Sequence, residues 1–281
     1  MAVIADNKFE PFTPLVWSPR VSKFFREKLY AANFFKDYSS DGADNRGIYI
    51  PKFSELNSTT ADIAVTNGTV TAVNLGDTKT VLNINAWKGA AVYITKFEER
   101  EIMKRPSVID EYASYLGYRC ARNVEVALFT LLEGLTASVS TSTHGIYSTN
   151  LETAFGILDS NMVPKEECRI FMKPKTYWKD LMSIQKYYDA SQFGRATLPF
   201  GMHDMLYGVG VTLSNNVYDE AGSGLANSIV HPGAVAFAMY GPDFQALPSE
   251  NLRKTLTADV IYGQVLVQAT WGVKLRSTTY L

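Results

Sequence analysis

The sequence is poor in the residues that build disulfide frameworks and metal sites. Its 281 residues include two cysteines and three histidines. Cys120 and Cys168 stand far apart and form no Cys-x-x-Cys pair, so neither a disulfide framework nor a zinc site is expected, and isolated thiols suit a reducing cytoplasm. The histidines, His144, His203 and His231, include no pair at the i, i+4 spacing of a metal-binding helix.

Long hydrophobic runs are also missing. The two longest, Val124–Leu132 and Gly233–Tyr240, fall far short of the ~20 apolar residues that span a bilayer. The first residues include Asp6, Lys8 and Glu10, where a secretory signal needs an apolar core. We therefore expect neither a membrane protein nor a secreted precursor.

The chain carries no excess of positive charge. It has 27 Lys and Arg against 28 Asp and Glu, a formal net charge of −1. Dedicated nucleic-acid binders usually show a basic excess, so any contact with nucleic acid should be local. Hydrophobic residues make up 46% of the chain, which is typical of a packed globular protein.

Motifs of nucleophilic and nucleotide chemistry are absent. The sequence contains no Gly-x-Ser-x-Gly elbow, no phosphate-binding Gly-x-x-x-x-Gly-Lys loop and no Gly-x-Gly-x-x-Gly fingerprint. His203-Asp204 resembles an oriented base, but neighbouring residues of a strand point to opposite faces. The sequence predicts no catalytic, cofactor-binding or metal-binding residue.

Residues 1–45 are rich in aromatic side chains. These are Phe9, Phe12, Trp17, Phe24, Phe25, Tyr30, Phe34, Phe35 and Tyr38. Pro11, Pro14 and Pro19 favour an extended first half, and Val21–Phe35 predicts a short amphipathic helix. Such an arm must pack either on its own domain or on a neighbouring subunit.

Residues 46–97 are dominated by Thr, Asn, Val and Gly and predict an excursion of β-strands. Asn67-Gly68 between Ile63–Thr66 and Thr69–Ala72 predicts a hairpin with a two-residue turn. Further strands are predicted at Ile48–Phe53, Thr80–Asn85 and Ala91–Phe97. Because a two-stranded ribbon is marginal alone in water, this one should lie against another surface.

The next segment has helical periodicity. Its apolar stripe comprises Ile109, Tyr112, Leu116, Cys120, Val124, Ala127, Leu128, Leu131 and Leu135. Ser107 and Asp110 predict a capping box and Gly134 a stop, which gives a rod on the order of 40 Å long. We expect its charged residues to lie on the solvated face: Asp110, Glu111, Arg119, Arg122 and Glu125. Four stripe residues should pack against the terminal strands: Leu116, Val124, Leu128 and Leu131.

The rest of the chain predicts a mixed α/β unit followed by strands. The predicted elements are a helix capped by Thr149 and Glu152, a strand at Arg169–Met172, a helix from Pro174, a strand at Leu206–Leu213 and a loop at Asp219–Asn227. Val230–Tyr240 fits either a strand or a helix. Thr255–Leu281 alternates as two strands or one bent strand.

This order of segments resembles the major capsid protein of tailed bacteriophages, which has the Hong Kong 97-type fold. The strings that carry the resemblance are Ile48–Pro51 to Lys96–Glu99, Leu158–Pro164, Arg169–Pro174 with Leu181, Gly210–Asn216, His231–Ala238, and Tyr262–Val267 with Trp271–Leu275. The resemblance implies an α+β fold with four parts. These are an N-terminal arm (1–45), an extended β-hairpin loop (46–97), a peripheral domain with a long spine helix and the terminal strands (98–137 plus 250–281), and an axial α/β domain (138–249).

The resemblance implies a structural protein rather than an enzyme. Its subunits would form hexamers and pentamers of an icosahedral shell around double-stranded DNA, assembled in the host cytoplasm and located in the virion. The implied partners are further copies, a portal, scaffold or decoration proteins in some members, and DNA without sequence specificity; no cofactor and no membrane are implied.

Candidate contact residues follow from the arm and the loop. The intersubunit candidates are Phe24, Phe25, Phe34, Phe35, Val65, Asn67, Gly68 and Val70. Lys23, Arg26 and Lys28 are candidates for facing DNA, or else they form a solvated helix face. Some family members crosslink through a loop lysine; Lys52, Lys79 and Lys88 are available here, but no motif identifies a partner asparagine.

Other classes of function stay open at this point. An encapsulin-type compartment shares the fold and would enclose a protein cargo. An α/β enzyme could assemble a site from Tyr177, Trp178 and His203. A monomeric binding module is the third alternative.

Overall fold

A computed structural model describes residues 29–41, 47–53, 77–95, 106–140, 144–184, 205–220, 224–250 and 253–278. The helices are α1 (Ala31–Phe34), α2 (Pro106–Leu131), α3 (Ser148–Ser160) and α4 (Pro174–Lys179). The strands are β1 (Lys36–Asp37), β2 (Gly47–Phe53), β3 (Asp77–Asn83), β4 (Ala86–Thr95), β5 (Ala137–Val139), β6 (Arg169–Met172), β7 (Met205–Leu206), β8 (Val209–Leu213), β9 (Asp219–Glu220), β10 (Gly224–Val230), β11 (Val235–Glu250), β12 (Arg253–Leu266) and β13 (Gly272–Ser277). Within these ranges, no helix is long and apolar enough to cross a membrane.

The long helix α2 packs on a four-stranded sheet of order β1-β11-β12-β4. Leu116, Val124 and Leu128 are buried in one cluster with Ala258 and Val260 of β12, and Leu131 packs partly buried against it. The predicted contact between the stripe and the terminal strands is therefore confirmed. The Cys120 thiol donates to the Ala258 carbonyl at 3.3 Å, and burial raises the pKa of this thiol.

A second sheet has seven strands, in the order β5-β13-β10-β6-β8-β7 with β9 paired to β10. Helix α3 packs on β13 and β5, and its buried residues Leu151, Ala154 and Leu158 share a core with Ile170 and Val273. Strands β6 and β8 run parallel, whereas β10 is antiparallel to both of its long neighbours, β6 and β13. Strands β6 to β10 of the predicted α/β segment belong to this sheet.

A third, two-stranded sheet pairs β2 with β3, from Gly47 opposite Asn83 to Phe53 opposite Asp77. Ile50 and Leu82 of this sheet, with Ile84 directly after β3, pack against Ala236 and Ala238 of β11. The chain thus uses the base of the predicted excursion in its own core. The predicted turn at Asn67-Gly68 lies outside the described residues.

The terminal strands connect the two larger sheets. Strand β12 lies between β11 and β4 in one sheet, and β13 lies between β5 and β10 in the other. Strand β11, predicted as part of the axial segment, belongs to the sheet on which α2 packs. The sheets therefore cross the domain boundaries that the sequence predicts.

Several predicted helix ends are wrong. Helix α2 begins at Pro106, where proline suits the first helical turn, so Ser107 is not its cap. Helix α3 begins at Ser148, and Thr149 lies inside it; the Thr149 carbonyl accepts from the Thr153 hydroxyl at 2.7 Å. Of the predicted helix Val21–Phe35, the described part is helical only over Ala31–Phe34.

Two strand predictions also need correction. The segment Leu206–Leu213 is a hairpin, because Tyr207 and Gly208 both have positive φ (51° and 85°), as a type I′ turn requires. The predicted loop Asp219–Asn227 is wrong from Gly224 onward, because these residues begin the fully buried strand β10. A polar residue is tolerated there because the Asn227 amide donates to the Leu275 carbonyl (3.2 Å) and the Ser277 hydroxyl (2.9 Å). The undecided segment Val230–Tyr240 is mostly strand β11.

Candidate functional site

The carboxylate of Glu125 joins three distant segments of the chain. Its side chain on α2 is 1% exposed. Oε2 accepts the backbone N–H groups of Tyr30 (2.7 Å) and Ala31 (3.2 Å), where the arm begins helix α1. Oε1 accepts from the Ser214 hydroxyl (3.2 Å) and the Asn216 amide (3.5 Å), just after strand β8. The arm, the long helix and the seven-stranded sheet therefore meet at one side chain.

Arg122 completes this junction. Its Nε donates to Asn216 Oδ1 at 2.9 Å, which turns the amide nitrogen of Asn216 toward Glu125. The prediction that Glu125 lies on a solvated helix face is wrong. It fails because Phe129 on α2 and Leu132 directly after it are buried too, so the buried face of this helix is wider than the predicted stripe.

Glu125 should make the stability of the protein depend on pH. Burial raises the pKa of its carboxyl, although the hydrogen bonds oppose this shift. Protonated Glu125 therefore contributes to the stability of the fold. The contribution is complete at pH values below the unfolded-state pKa of about 4.3 and is lost as the pH rises through the raised native pKa.

We expect Glu125→Gln to remove this dependence, because glutamine is neutral at every pH. Urea unfolding of both proteins between about pH 4 and pH 7 measures it. The free energy of unfolding of the variant minus that of the wild type should increase with pH. Parallel pH profiles would contradict the assignment.

An exposed aromatic surface lies on the sheet face that points away from α2. Register places Trp87 opposite Ile261, Gly89 opposite Asp259, and Ala91 opposite Thr257 on this face. Trp87 is 72% exposed and Tyr93 66%. We call this surface the aromatic face; its residues are Trp87, Gly89, Ala91, Tyr93, Gln245, Thr257, Asp259 and Ile261.

The aromatic face has a groove with a floor of small residues. Gly89 and Ala91 form part of the lining, and Trp87 stands beside them. The indole Nε1 donates to Asp259 Oδ2 at 2.7 Å, which holds the ring in place. A preorganised aromatic ring beside a small-residue floor suits contact with an extended chain, since little side-chain entropy is lost on binding.

The structure describes few of the contact residues that the sequence predicts. Phe35 is buried, and its ring lies 6.0 Å from that of Phe171; the partly buried Phe34 lies 5.3 Å from the same ring. Both therefore pack in the core of their own chain. The candidates outside the described residues are Lys23, Phe24, Phe25, Arg26, Lys28, Val65, Asn67, Gly68 and Val70.

The geometry around the residues of the alternative enzyme site and around His231 indicates structural roles. Tyr177 is buried in the core and Trp178 is exposed, with ring centroids 5.2 Å apart, while His203 lies outside the described residues. His231 is a structural residue, because its Nδ1 accepts from the Gly233 N–H and its Nε2 faces Glu167 at 3.0 Å. In the part of the chain that the structure describes, no three His, Cys, Asp or Glu side chains converge on a metal site.

Comparisons with known proteins identify the fold. No protein-family model and no curated protein matches the sequence. Among solved structures, a chain of Mycobacterium phage Che8 is 18% identical, with a TM-score of 0.76 over 95% of this chain and 98% of that one. The capsid of cyanophage P-SCSP1u gives 13% identity and 0.73 over 96% and 94%, and the capsid of Ralstonia phage GP4 gives 12% and 0.66 over 100% and 99%. The chain thus has the tailed-phage major capsid protein fold, and the predicted fold class is confirmed.

Proposed function

We propose that this chain is the structural subunit of an icosahedral phage capsid, assembled from hexamers and pentamers around double-stranded DNA. The observation that supports this most strongly is the extent of the fold match. The Che8 chain is covered over 98% of its length and covers 95% of this one, so the match is not confined to one part of the chain. Function in such a protein resides in interfaces between copies rather than in a reaction.

The aromatic face is the surface we assign to one of these interfaces. In this proposal, residues 54–76 of one subunit lie on the aromatic face of its neighbour. Their Thr- and Val-rich sequence suits an extended segment, and Trp87 and Tyr93 offer it exposed apolar area that a monomer leaves in water. The base of the loop, strands β2 and β3, stays in the core of its own subunit.

The proposed partners follow from the same assignment. DNA would contact the inner surface through phosphates alone, with Lys23, Arg26 and Lys28 as the candidate cations. A portal would complete the shell, and the assembled protein would be located in the virion. The proposed role includes no catalysis and no cofactor.

Electron microscopy of the purified protein tests the proposed function. We expect closed shells or capsomers by negative stain and a large particle in size-exclusion chromatography. Shells that hold DNA in infected cells would separate a capsid from a compartment that encloses protein cargo. A chain that stays a folded monomer at high concentration under all assembly conditions contradicts the proposal.

Trp87→Ala tests the aromatic face within the shell. Because the side chain is mostly exposed, the free energy of unfolding of the variant subunit should lie within about 0.5 kcal/mol of the wild-type value. Light scattering should show assembly only at a concentration at least about tenfold higher, as expected when an interface loses a buried aromatic anchor. Trp87→Phe is the matched control: it loses the bond to Asp259 but keeps an aromatic ring at this position, and should assemble nearly normally. Equal assembly of the alanine variant and the wild type would rule out this surface.

A further inference from the structure

The arm is attached to the long helix through an ionisable side chain. Helix α1 spans four residues, and the side chain of Tyr30, its N-cap residue, makes no capping bond. The N–H groups of Tyr30 and Ala31 have no acceptor within so short a helix, and both donate to Oε2 of Glu125. Ala31 is fully buried, so water does not replace this acceptor while α1 is in place. The attachment at this end of α1 therefore depends on a group that can gain or lose a proton.

The surroundings of Glu125 provide hydrogen bonds for both protonation states of its carboxyl. Oε2 can accept the two backbone N–H groups in either state. Oε1 lies 3.2 Å from the Ser214 hydroxyl, which can donate to an ionised oxygen or accept the O–H of a protonated one. The same packed arrangement thus holds either a neutral or a charged group, and hydrogen bonding alone does not select one of them.

The ionised state has no countercharge at this position. Helix α1 and residues 214–216, the two segments that bind the carboxyl, contain no charged side chain. On α2, Arg122 donates its Nε to the Asn216 amide oxygen. On β6, Arg169 lies over the ring of Phe34, 5.1 Å from the ring centroid. Within the described residues no ion pair forms with Glu125, so ionisation places an unpaired charge in a buried site.

Water can reach the carboxylate most easily if the start of α1 moves. The long helix α2 has 26 residues, and Ser214 follows directly on β8 of the seven-stranded sheet. Helix α1 is a single turn, which is too short to be stable by itself. Burial raises the pKa of the Glu125 carboxyl. Linkage requires that the burial which disfavours the charge also favours, to the same degree, an opening that hydrates it.

We propose that the protonation of Glu125 controls how tightly the arm is attached to the long helix: tightly when Glu125 is protonated, and loosely when it is ionised. On ionisation the carboxyl O–H bond breaks, the proton passes to water, and the carboxylate is hydrated as the N–H groups of Tyr30 and Ala31 separate from it. The movement is confined to the start of α1, because Phe35 is buried beside Phe171 and β1 is paired with β11. The inference concerns a single chain, so it holds or fails independently of shell assembly.

Amide hydrogen exchange of the purified full-length protein tests this inference. Each measured rate is divided by the intrinsic rate at the same pH, which gives the protection of that amide. The protection of Tyr30 and Ala31 should fall at least about threefold between about pH 5 and pH 7.5. It should be lower at both pH values than that of Ile229 on the buried strand β10, because the arm opens locally. Equal protection of the arm and β10 would mean that the arm opens only on global unfolding, which overturns the inference.

Three variants separate the proton from the packing. Glu125→Gln keeps the shape but stays neutral, so the protection of the arm amides should be the same at both pH values. Ser214→Ala is a milder change that removes a donor to the ionised carboxylate, and the pH at which protection falls should move upward by about 0.4–1. Glu152→Gln removes an exposed carboxyl on α3 and is the matched control, which should follow the wild type. A Glu125→Gln profile as steep as that of the wild type, or a Ser214→Ala profile that does not move, overturns the inference.

Discussion

Replacement of Thr60–Leu75 by a short Gly-Ser link should leave the free subunit folded and abolish stable shells. The subunit core draws on the base of the loop, where Ile50 and Leu82 are buried against β11, and the replacement leaves that base intact. Each missing segment removes a contact that the shell would repeat between every pair of neighbours. The expected loss is therefore large even if a single contact is weak.

Two kinds of measurement test the loop replacement, one of the folding of the subunit and one of its assembly. Far-UV circular dichroism and the thermal midpoint should match the wild type, whereas negative stain should show no closed particles. Asn67→Asp is the matched control, because Asp-Gly forms the same two-residue turn and should preserve assembly. Normal shells would make the loop dispensable, and an unfolded variant would place the loop in the core.

Leu128→Ala should strongly destabilise the folded subunit. Leu128 is fully buried between α2 and β12, in the same cluster as Val260 and Tyr262. Removal of a packed leucine side chain costs its transfer free energy and leaves a cavity, together about 2–5 kcal/mol. Equilibrium unfolding in urea measures this loss of free energy.

Val126→Ala is the control on the same helix. Val126 is exposed two positions earlier, and alanine is the better helix former, so the free energy of unfolding should change by less than about 0.5 kcal/mol. If Leu128→Ala costs no more than Val126→Ala, the predicted packing of the stripe against the terminal strands is wrong.

The long helix shows what periodicity can and cannot predict. Leu116, Val124 and Leu128 recur at helical spacing, and hydrophobic burial places such a stripe against a core whatever the partner is. Glu125 precedes Phe129 by four residues and Leu132 by seven, which places all three on one face of a helix. This spacing was the signal in the sequence that could have indicated the burial of Glu125. Hydrophobic patterning assigned the carboxylate to solvent because it is charged. The donors that allow its burial, Tyr30 and Asn216, lie about ninety residues away in the sequence, so no local pattern reveals them.

The same limit explains the other corrections. Gly224–Val230 contains polar residues, and its burial depends on the bonds from Asn227 to Leu275 and Ser277, which no local pattern reveals. The aromatic face was not predicted either, since exposure of Trp87 follows from which side of β4 faces the helix. Local signals predicted strands and helices, whereas sheet membership depended on long-range pairing.

The position of the terminal strands has a consequence for synthesis. Strands β12 and β13 are internal to two different sheets, yet they follow all the other described strands in the chain. A ribosome therefore delivers them last. Until then neither sheet can close, and the stripe of α2 lacks β12, the strand against which it packs most extensively. Incomplete chains consequently cannot present a finished subunit surface. Chain order alone would keep truncated products out of a lattice in which one defective copy affects several neighbours.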